Sequence, residues 1–247
     1  MHEEWSYRRR WLGGLALALA LGVSAPMALS RGEGATTRPV PRDGSWMKLH
    51  ERFLERARSS EGIDLLFLGD SITQGWDNNA VWRRYYGPRN AANFGIGGDR
   101  TEHVLWRIQN GEIDGISPKV VVLMIGTNNS GSNSAGEIAG GIKAILTTLR
   151  EKLPRTAVLL LGVFPRGERP DDPARAKLEA VNEAIAALDD GENVKYLDIG
   201  GRFLNDDGTI RREIMPDFLH LSRKGYRIWA EAIEPTLWSM LDEDRGD

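Results

Sequence analysis

The chain has 247 residues, enough for one large α/β domain with a sizeable buried core. Its formal net charge of −3 gives no basic excess to neutralise phosphates, so nucleic acid is not an expected partner. With no cysteine, disulfides, thiolate metal sites and a cysteine nucleophile are all excluded.

At the N-terminus, Arg8-Arg9-Arg10 precede an apolar stretch from Trp11 to Val23, and Ala28-Leu29-Ser30 supplies small residues for cleavage. This pattern predicts a signal peptide over residues 1–30 and an exported protein, periplasmic or secreted. The alternative is an uncleaved anchor, although the apolar run is shorter than the roughly 20 residues of a membrane span. Arg8-Arg9-Arg10-Trp11-Leu12 also resembles a twin-arginine leader, which leaves the export route open. Residues 31–45, rich in Gly, Pro and charge, predict a disordered linker ahead of a folded domain over 46–247.

From Trp46, apolar residues recur at helical spacing through Leu49, Phe53 and Leu54. Five apolar runs follow as strand candidates: Ile63 to Leu68, Asn90 to Phe94, Val120 to Ile125, Ala157 to Val163 and Val194 to Ile199. The runs are continuous rather than alternating, as expected for strands covered on both faces of a parallel sheet. Helical patterns lie over Thr101 to Ile108, Ala135 to Leu149, Pro173 to Leu188 and Ser222 to Leu241. Strand and helix in alternation predict right-handed crossovers and a doubly wound sheet, with ligands beyond the C-terminal strand ends.

Four short segments carry the chemistry: Gly69-Asp70-Ser71-Ile72, Gly95-Ile96-Gly97-Gly98-Asp99, Gly126-Thr127-Asn128-Asn129 and Asp217-Phe218-Leu219-His220. The first three each follow a predicted strand, so one rim of the sheet gathers them. Ser71 suits a nucleophile, with capping of the next helix as its competing role. His220 suits the base, because a carboxylate three residues earlier can orient it. Among the other histidines, His2 falls in the leader, His50 lies in the first domain helix, and His103 reads as a helix-surface or packing residue. Gly98 ends a loop whose N–H groups can meet negative charge, and the Asn128 amide can do the same or simply stabilise its turn. Ile72, Phe218 and Leu219 lie close enough to this chemistry to wall a small acyl pocket. There is no His-Glu-x-x-His, no histidine pair at ligand spacing, no dinucleotide fingerprint and no Walker lysine.

Serine, glycine, asparagine and histidine, one per block, identify a resemblance to the SGNH (GDSL-type) hydrolase superfamily. Asn93 to Asp99, His103 to Arg107, Asn110-Gly111-Glu112, Pro165 to Glu168 and Asp217 to Leu221 extend it. Those segments resemble the catalytic subunits of intracellular platelet-activating-factor acetylhydrolase from about Trp46 to Leu241. The resemblance implies a flavodoxin-like three-layer α/β/α sandwich with a five-stranded parallel sheet and no metal or cofactor. It also implies Ser71 as nucleophile, with its own N–H, that of Gly98 and the Asn128 amide as oxyanion hole. The expected activity is hydrolysis of short-chain, acetyl O-esters by a Ser71–His220–Asp217 acyl-enzyme route. A carbohydrate O-acetylesterase is the alternative, and a lysophospholipase or thioesterase a more distant one. The expected partner is a small-molecule ester, an acetylated lipid or glycan; a homodimer stays open.

Overall fold

The computed structural model describes residues 34–59, 61–77 and 79–242. Five strands, β1 (Leu65–Gly69), β2 (Ala91–Gly95), β3 (Val120–Met124), β4 (Ala157–Leu161) and β5 (Val194–Leu197), form one sheet in the order β2-β1-β3-β4-β5. Every pairing is parallel, with Gly69 aligned to Gly95 on one side and to Met124 on the other. The strand order reverses at β1, so the C-terminal ends of β2, β1 and β3 border the crevice where ligands bind in such sheets.

Among the described residues, seven helices pack on the sheet: α1 (Ser45–Arg58), α2 (Ser71–Gln74), α3 (Ala80–Tyr85), α4 (Thr101–Gln109), α5 (Ala135–Lys152), α6 (Pro173–Ala186) and α7 (Arg223–Leu241). The strand runs are continuous because both faces are covered. Leu66, Leu68, Val121 and Leu123 join a cluster with residues of α1, α4, α5 and α6. Leu65, Phe67, Val120 and Val122 point the other way and join Trp76, Trp229 and Leu237. Each such side chain, taken fully from water, contributes roughly 1.5–3 kcal/mol before entropy is counted. The two helices that the sequence pattern did not reveal, α2 and α3, are four and six residues long. That is too short for a 3.6-residue period to register.

The linker expected over residues 31–45 is corrected by the described part of it. Thr36 is buried, its hydroxyl donates to the Glu137 carbonyl at 2.7 Å, and its carbonyl accepts from the Thr101 hydroxyl at 3.1 Å. Val40 N–H donates to the Glu102 carbonyl at 3.2 Å. Gly, Pro and charge set the composition of this segment, but one threonine hydroxyl and a few backbone groups fix it to α4 and α5. The signal peptide expected over residues 1–30 lies outside the described residues. Among the described residues, no helix is long and apolar enough to cross a membrane.

Candidate active site

The first strand must end in glycine. A methyl group on Gly69 would run into the Thr73 side chain and the Met124 carbonyl, so only glycine lets α2 turn off so sharply. Asp70 then caps α2, its Oδ1 accepting the Ile72 N–H at 2.9 Å. Capping therefore falls to Asp70 and leaves the Ser71 hydroxyl for another partner, His220 Nε2 at 2.9 Å. His220 Nδ1 lies 2.6 Å from Asp217 Oδ2, and Asp217 Oδ1 accepts the backbone N–H groups of Leu219 at 3.1 Å and His220 at 2.7 Å. A carboxylate only accepts, so Nδ1 carries the proton and Nε2 is left to accept from Ser71.

The tight turn from Asp217 to His220 needs Phe218 at φ 58°, a left-handed backbone that a bulky residue rarely adopts. Two contacts hold it there. The Phe218 carbonyl accepts the Gly167 N–H at 2.9 Å, and the Arg212 guanidinium sits 4.4 Å from the centre of the ring. Burial opposes the Asp217 charge, but hydrogen bonds from the His220 ring and from the backbone of His220 and Leu219 outweigh it and hold the carboxyl below its ordinary value.

Across the crevice, Gly98 adopts φ 75°, which its lack of a side chain permits. Asn128 lies in a 3₁₀ turn, Thr127–Asn129, and one hydrogen of its amide goes to the Asp99 carbonyl at 2.8 Å. An amide nitrogen has two hydrogens, so the second remains for a ligand. The neighbouring asparagine is differently used. Asn129 is fully buried, accepts from Thr101 N–H at 3.1 Å and donates to Glu102 Oε2 at 3.0 Å, which ties the β3 turn to α4.

Beneath the glycine loop runs a buried chain of charges. Asp99 accepts from Trp46 Nε1 at 2.7 Å and from Arg107 Nε at 2.9 Å. Arg107, fully enclosed, also pairs with Glu112 and donates to the carbonyls of Phe94 at 3.0 Å and Gly69 at 3.3 Å. It thereby joins the ends of β1 and β2 directly under the site. Removing one partner from such a network leaves an uncompensated buried charge, at a cost of about 3–5 kcal/mol. The two remaining described histidines are structural: His50 pairs with Glu112 at 2.8 Å, and His103 Nδ1 accepts the Arg100 N–H at 3.0 Å as part of the α4 cap.

Asp70 carries a second consequence. It is fully buried, and Oδ2 has no protein partner. Burial pushes its carboxyl from 3.8 up to about 7, against the Ile72 hydrogen bond and the charges of His220 and Arg166 and with the help of Asp99. The unfolded chain releases this proton first, so stability is highest below the unfolded value and falls as pH rises from about 4 towards about 7. At ~1.4 kcal/mol per unit, the loss amounts to a few kcal/mol. Urea unfolding of the wild type and of Asp70→Asn across that window should show the wild type losing stability relative to the variant with rising pH. Parallel curves would mean that Asp70 does not titrate there.

Of the three residues expected to wall an acyl pocket, Ile72 is 1 % exposed and packs in the core cluster with Phe67 and Trp76. Phe218 and Leu219 are half-buried and pack on the same cluster from the loop. On the other side of the crevice, a cavity of about 690 Å³ opens beside Asn128, lined also by Thr127, Arg166 and Lys177. Arg166, to which the sequence alone assigns no role, donates to the Thr127 carbonyl and hydroxyl, both at 3.3 Å. Asp99 and Arg107 fall within the segments that carry the resemblance, but the sequence likewise assigns them no role of their own. Their signal was an arginine among Val104, Leu105 and Ile108, on a helix face otherwise apolar. Among the described residues, no three His, Cys, Asp or Glu side chains converge as a metal site would require.

Known proteins share both the sequence and the architecture. The sequence profile of the GDSL-like Lipase/Acylhydrolase family matches residues 67–228. Platelet-activating factor acetylhydrolase IB subunit alpha1 of Bos taurus is 42 % identical over 224 residues, covering 88 % of this chain and 95 % of its own. Subunit alpha2 of Mus musculus is 40 % identical over 226 residues, covering 91 % of this chain and 96 % of its own. Among solved structures, a GDSL-like lipase from Bacteroides thetaiotaomicron superposes with a TM-score of 0.66 at 19 % identity, covering 77 % of this chain and 97 % of its own. A catalytic mutant of an acetylxylan esterase from Geobacillus stearothermophilus gives 0.57 at 18 %, covering 73 % and 95 %. Identities so low speak for the fold alone.

The export expected from residues 1–30 is overturned here, because the curated relatives are subunits of an intracellular acetylhydrolase. Its support had been the basic, apolar and small-residue sequence pattern of residues 1–30. The profile spans well over half of the chain and the acetylhydrolase relatives cover 88 % and 91 % of it, and on that footing the chain belongs to the GDSL-like lipase/acylhydrolase family, the SGNH hydrolases, and is a carboxylic ester hydrolase.

Proposed function

We propose that the chain removes short acyl groups, acetyl above all, from oxygen esters through an acyl-enzyme on Ser71. The observation that carries this reading is the unbroken chain from Ser71 Oγ to His220 Nε2 at 2.9 Å and from His220 Nδ1 to Asp217 Oδ2 at 2.6 Å. Ser71 Oγ attacks the ester carbonyl as its proton passes to Nε2. The imidazolium that results is stabilised by Asp217, and the charge on the former carbonyl oxygen meets the N–H groups of Ser71 and Gly98 and the amide of Asn128. Nε2 returns the proton to the departing alcohol. A water, deprotonated by the same nitrogen, then hydrolyses the acyl-enzyme and restores Ser71.

The acetyl preference rests on the two acetylhydrolase relatives and on the crowding by Phe218 and Leu219 beside the triad. Ile72 packs into the core, so Phe218 and Leu219, which rest on the same packed cluster from the loop, are left to wall the acyl pocket. A rigid apolar pocket discriminates by ~1–3 kcal/mol per misfit methylene. The decisive experiment compares kcat/KM on p-nitrophenyl acetate, butyrate and octanoate, followed by acetylated short phospholipids and acetylated sugars. Acetate should lead butyrate, and octanoate should be nearly inert. A preference for octanoate would replace this reading with a lipase-like or thioesterase-like one, and a preference for acetylated sugars would make the chain a carbohydrate esterase.

A further inference from the structure

The segment that precedes α1 brings a guanidinium to the glycine loop. Arg42 Nη1 donates to the Gly97 carbonyl at 2.9 Å and to Asp99 Oδ1 at 3.1 Å. A methyl group on Gly98 would lie 3.3 Å from Arg42 Nη2, so the guanidinium flanks Gly98 itself. The segment that delivers it is fastened at Thr36 and Val40, and Trp46 Nε1 shares Asp99 Oδ1 with Arg42. The loop is held from the other side as well, because Gly97 N–H donates to Gln74 Oε1 at 2.8 Å.

The carbonyl that Arg42 grips and the N–H of Gly98 belong to one planar peptide unit. In a trans peptide they point in opposite directions. Fixing the carbonyl towards Arg42 therefore fixes the N–H away from it, and a cation on the oxygen draws electron density through the amide and makes that N–H a stronger donor. We propose that Arg42 is a positioning residue for ester hydrolysis, acting through the Gly97–Gly98 peptide to aim and polarise the Gly98 N–H at the oxyanion. This rests on the reading of Gly98 as part of the oxyanion hole given above. A donor aimed in advance favours the transition state over bound ester, because the charge it meets develops only there.

The test compares Arg42→Gln and Arg42→Lys with the wild type on p-nitrophenyl acetate, alongside thermal unfolding and the rate of Ser71 labelling by a fluorophosphonate, whose adduct also needs the oxyanion hole. Deleting an oxyanion donor lowers kcat by roughly 10²–10³-fold, so loosening one should cost about tenfold. Arg42→Gln should therefore lose about tenfold in kcat and in labelling rate, with KM nearly unchanged. Arg42→Lys, which keeps the charge but not the fork, should recover part of the loss. If the glutamine variant does not fold, a fall in kcat at unchanged KM in the lysine variant carries the test. Unchanged kcat in the folded variants, with or without a lower melting temperature, would make Arg42 a mere fastener of its segment and overturn the proposal. Ser71→Ala, run in parallel, separates the two claims: an active Ser71→Ala protein removes the mechanism itself, whereas an inactive one beside fully active Arg42 variants removes only the role of Arg42.

Discussion

Ser71→Ala should lower kcat on p-nitrophenyl acetate by roughly 10⁴-fold or more while the fold is kept, as loss of a triad nucleophile does. The retained fold follows from the geometry. The cap of α2 is made by Asp70, not Ser71, and alanine is the best helix former at the vacated position. What the variant forfeits is one half-buried hydrogen bond to His220, worth ~1 kcal/mol, against the whole of nucleophilic catalysis. Circular dichroism and thermal unfolding check the first statement, and single-turnover kinetics with a fluorophosphonate label the second. A folded variant with near-normal turnover would mean that another nucleophile or an activated water does the work, and His220 and Asp217 would need a different role.

The sheet was legible because its strands are buried on both faces. Val120 to Ile125 admits no polar residue, and a run of that kind has few homes other than a central parallel strand. The edge strand β5 was legible for a weaker reason, its place in the alternation, since Lys195 lies exposed within it. Three candidate site segments were legible because each opens on a turn-forming glycine at a strand end, and the fourth because an aspartate stands three residues before a histidine. The buried charges were not. Asp99 and Arg107 are eight residues apart, across the turn into a helix, and only tertiary structure brings Glu112, Gly69 and Phe94 to the same guanidinium. Arg42 was hidden for a further reason. Composition marks its segment as a linker, and the contacts that dock it reach residues 55 to 101 positions away, which no local pattern displays. Ile72 shows the limit of proximity arguments. It follows the nucleophile directly, yet its side chain points into the core.

Asn128→Ala should lower kcat by roughly 10²–10³-fold, about 3–4 kcal/mol of transition-state stabilisation, with KM changed little. The argument is one of unequal use. Of two adjacent asparagines in the same turn, Asn129 spends both ends of its amide on the protein, whereas Asn128 gives one hydrogen to the Asp99 carbonyl and keeps the other. The bond to the Asp99 carbonyl orients the amide, so the free hydrogen is aimed before substrate arrives and costs no reorganisation when charge develops. Ground-state ester, whose carbonyl oxygen bears little charge, gains less from it, which is why kcat and not KM should move. Asn129→Ala is the control: it should lower stability through the lost ties to Thr101 and Glu102. An Asn128→Ala protein that raises KM at constant kcat would place Asn128 in substrate binding instead. One that melts as early as Asn129→Ala, with kcat intact, would place it in the turn and leave the oxyanion to the two backbone N–H groups.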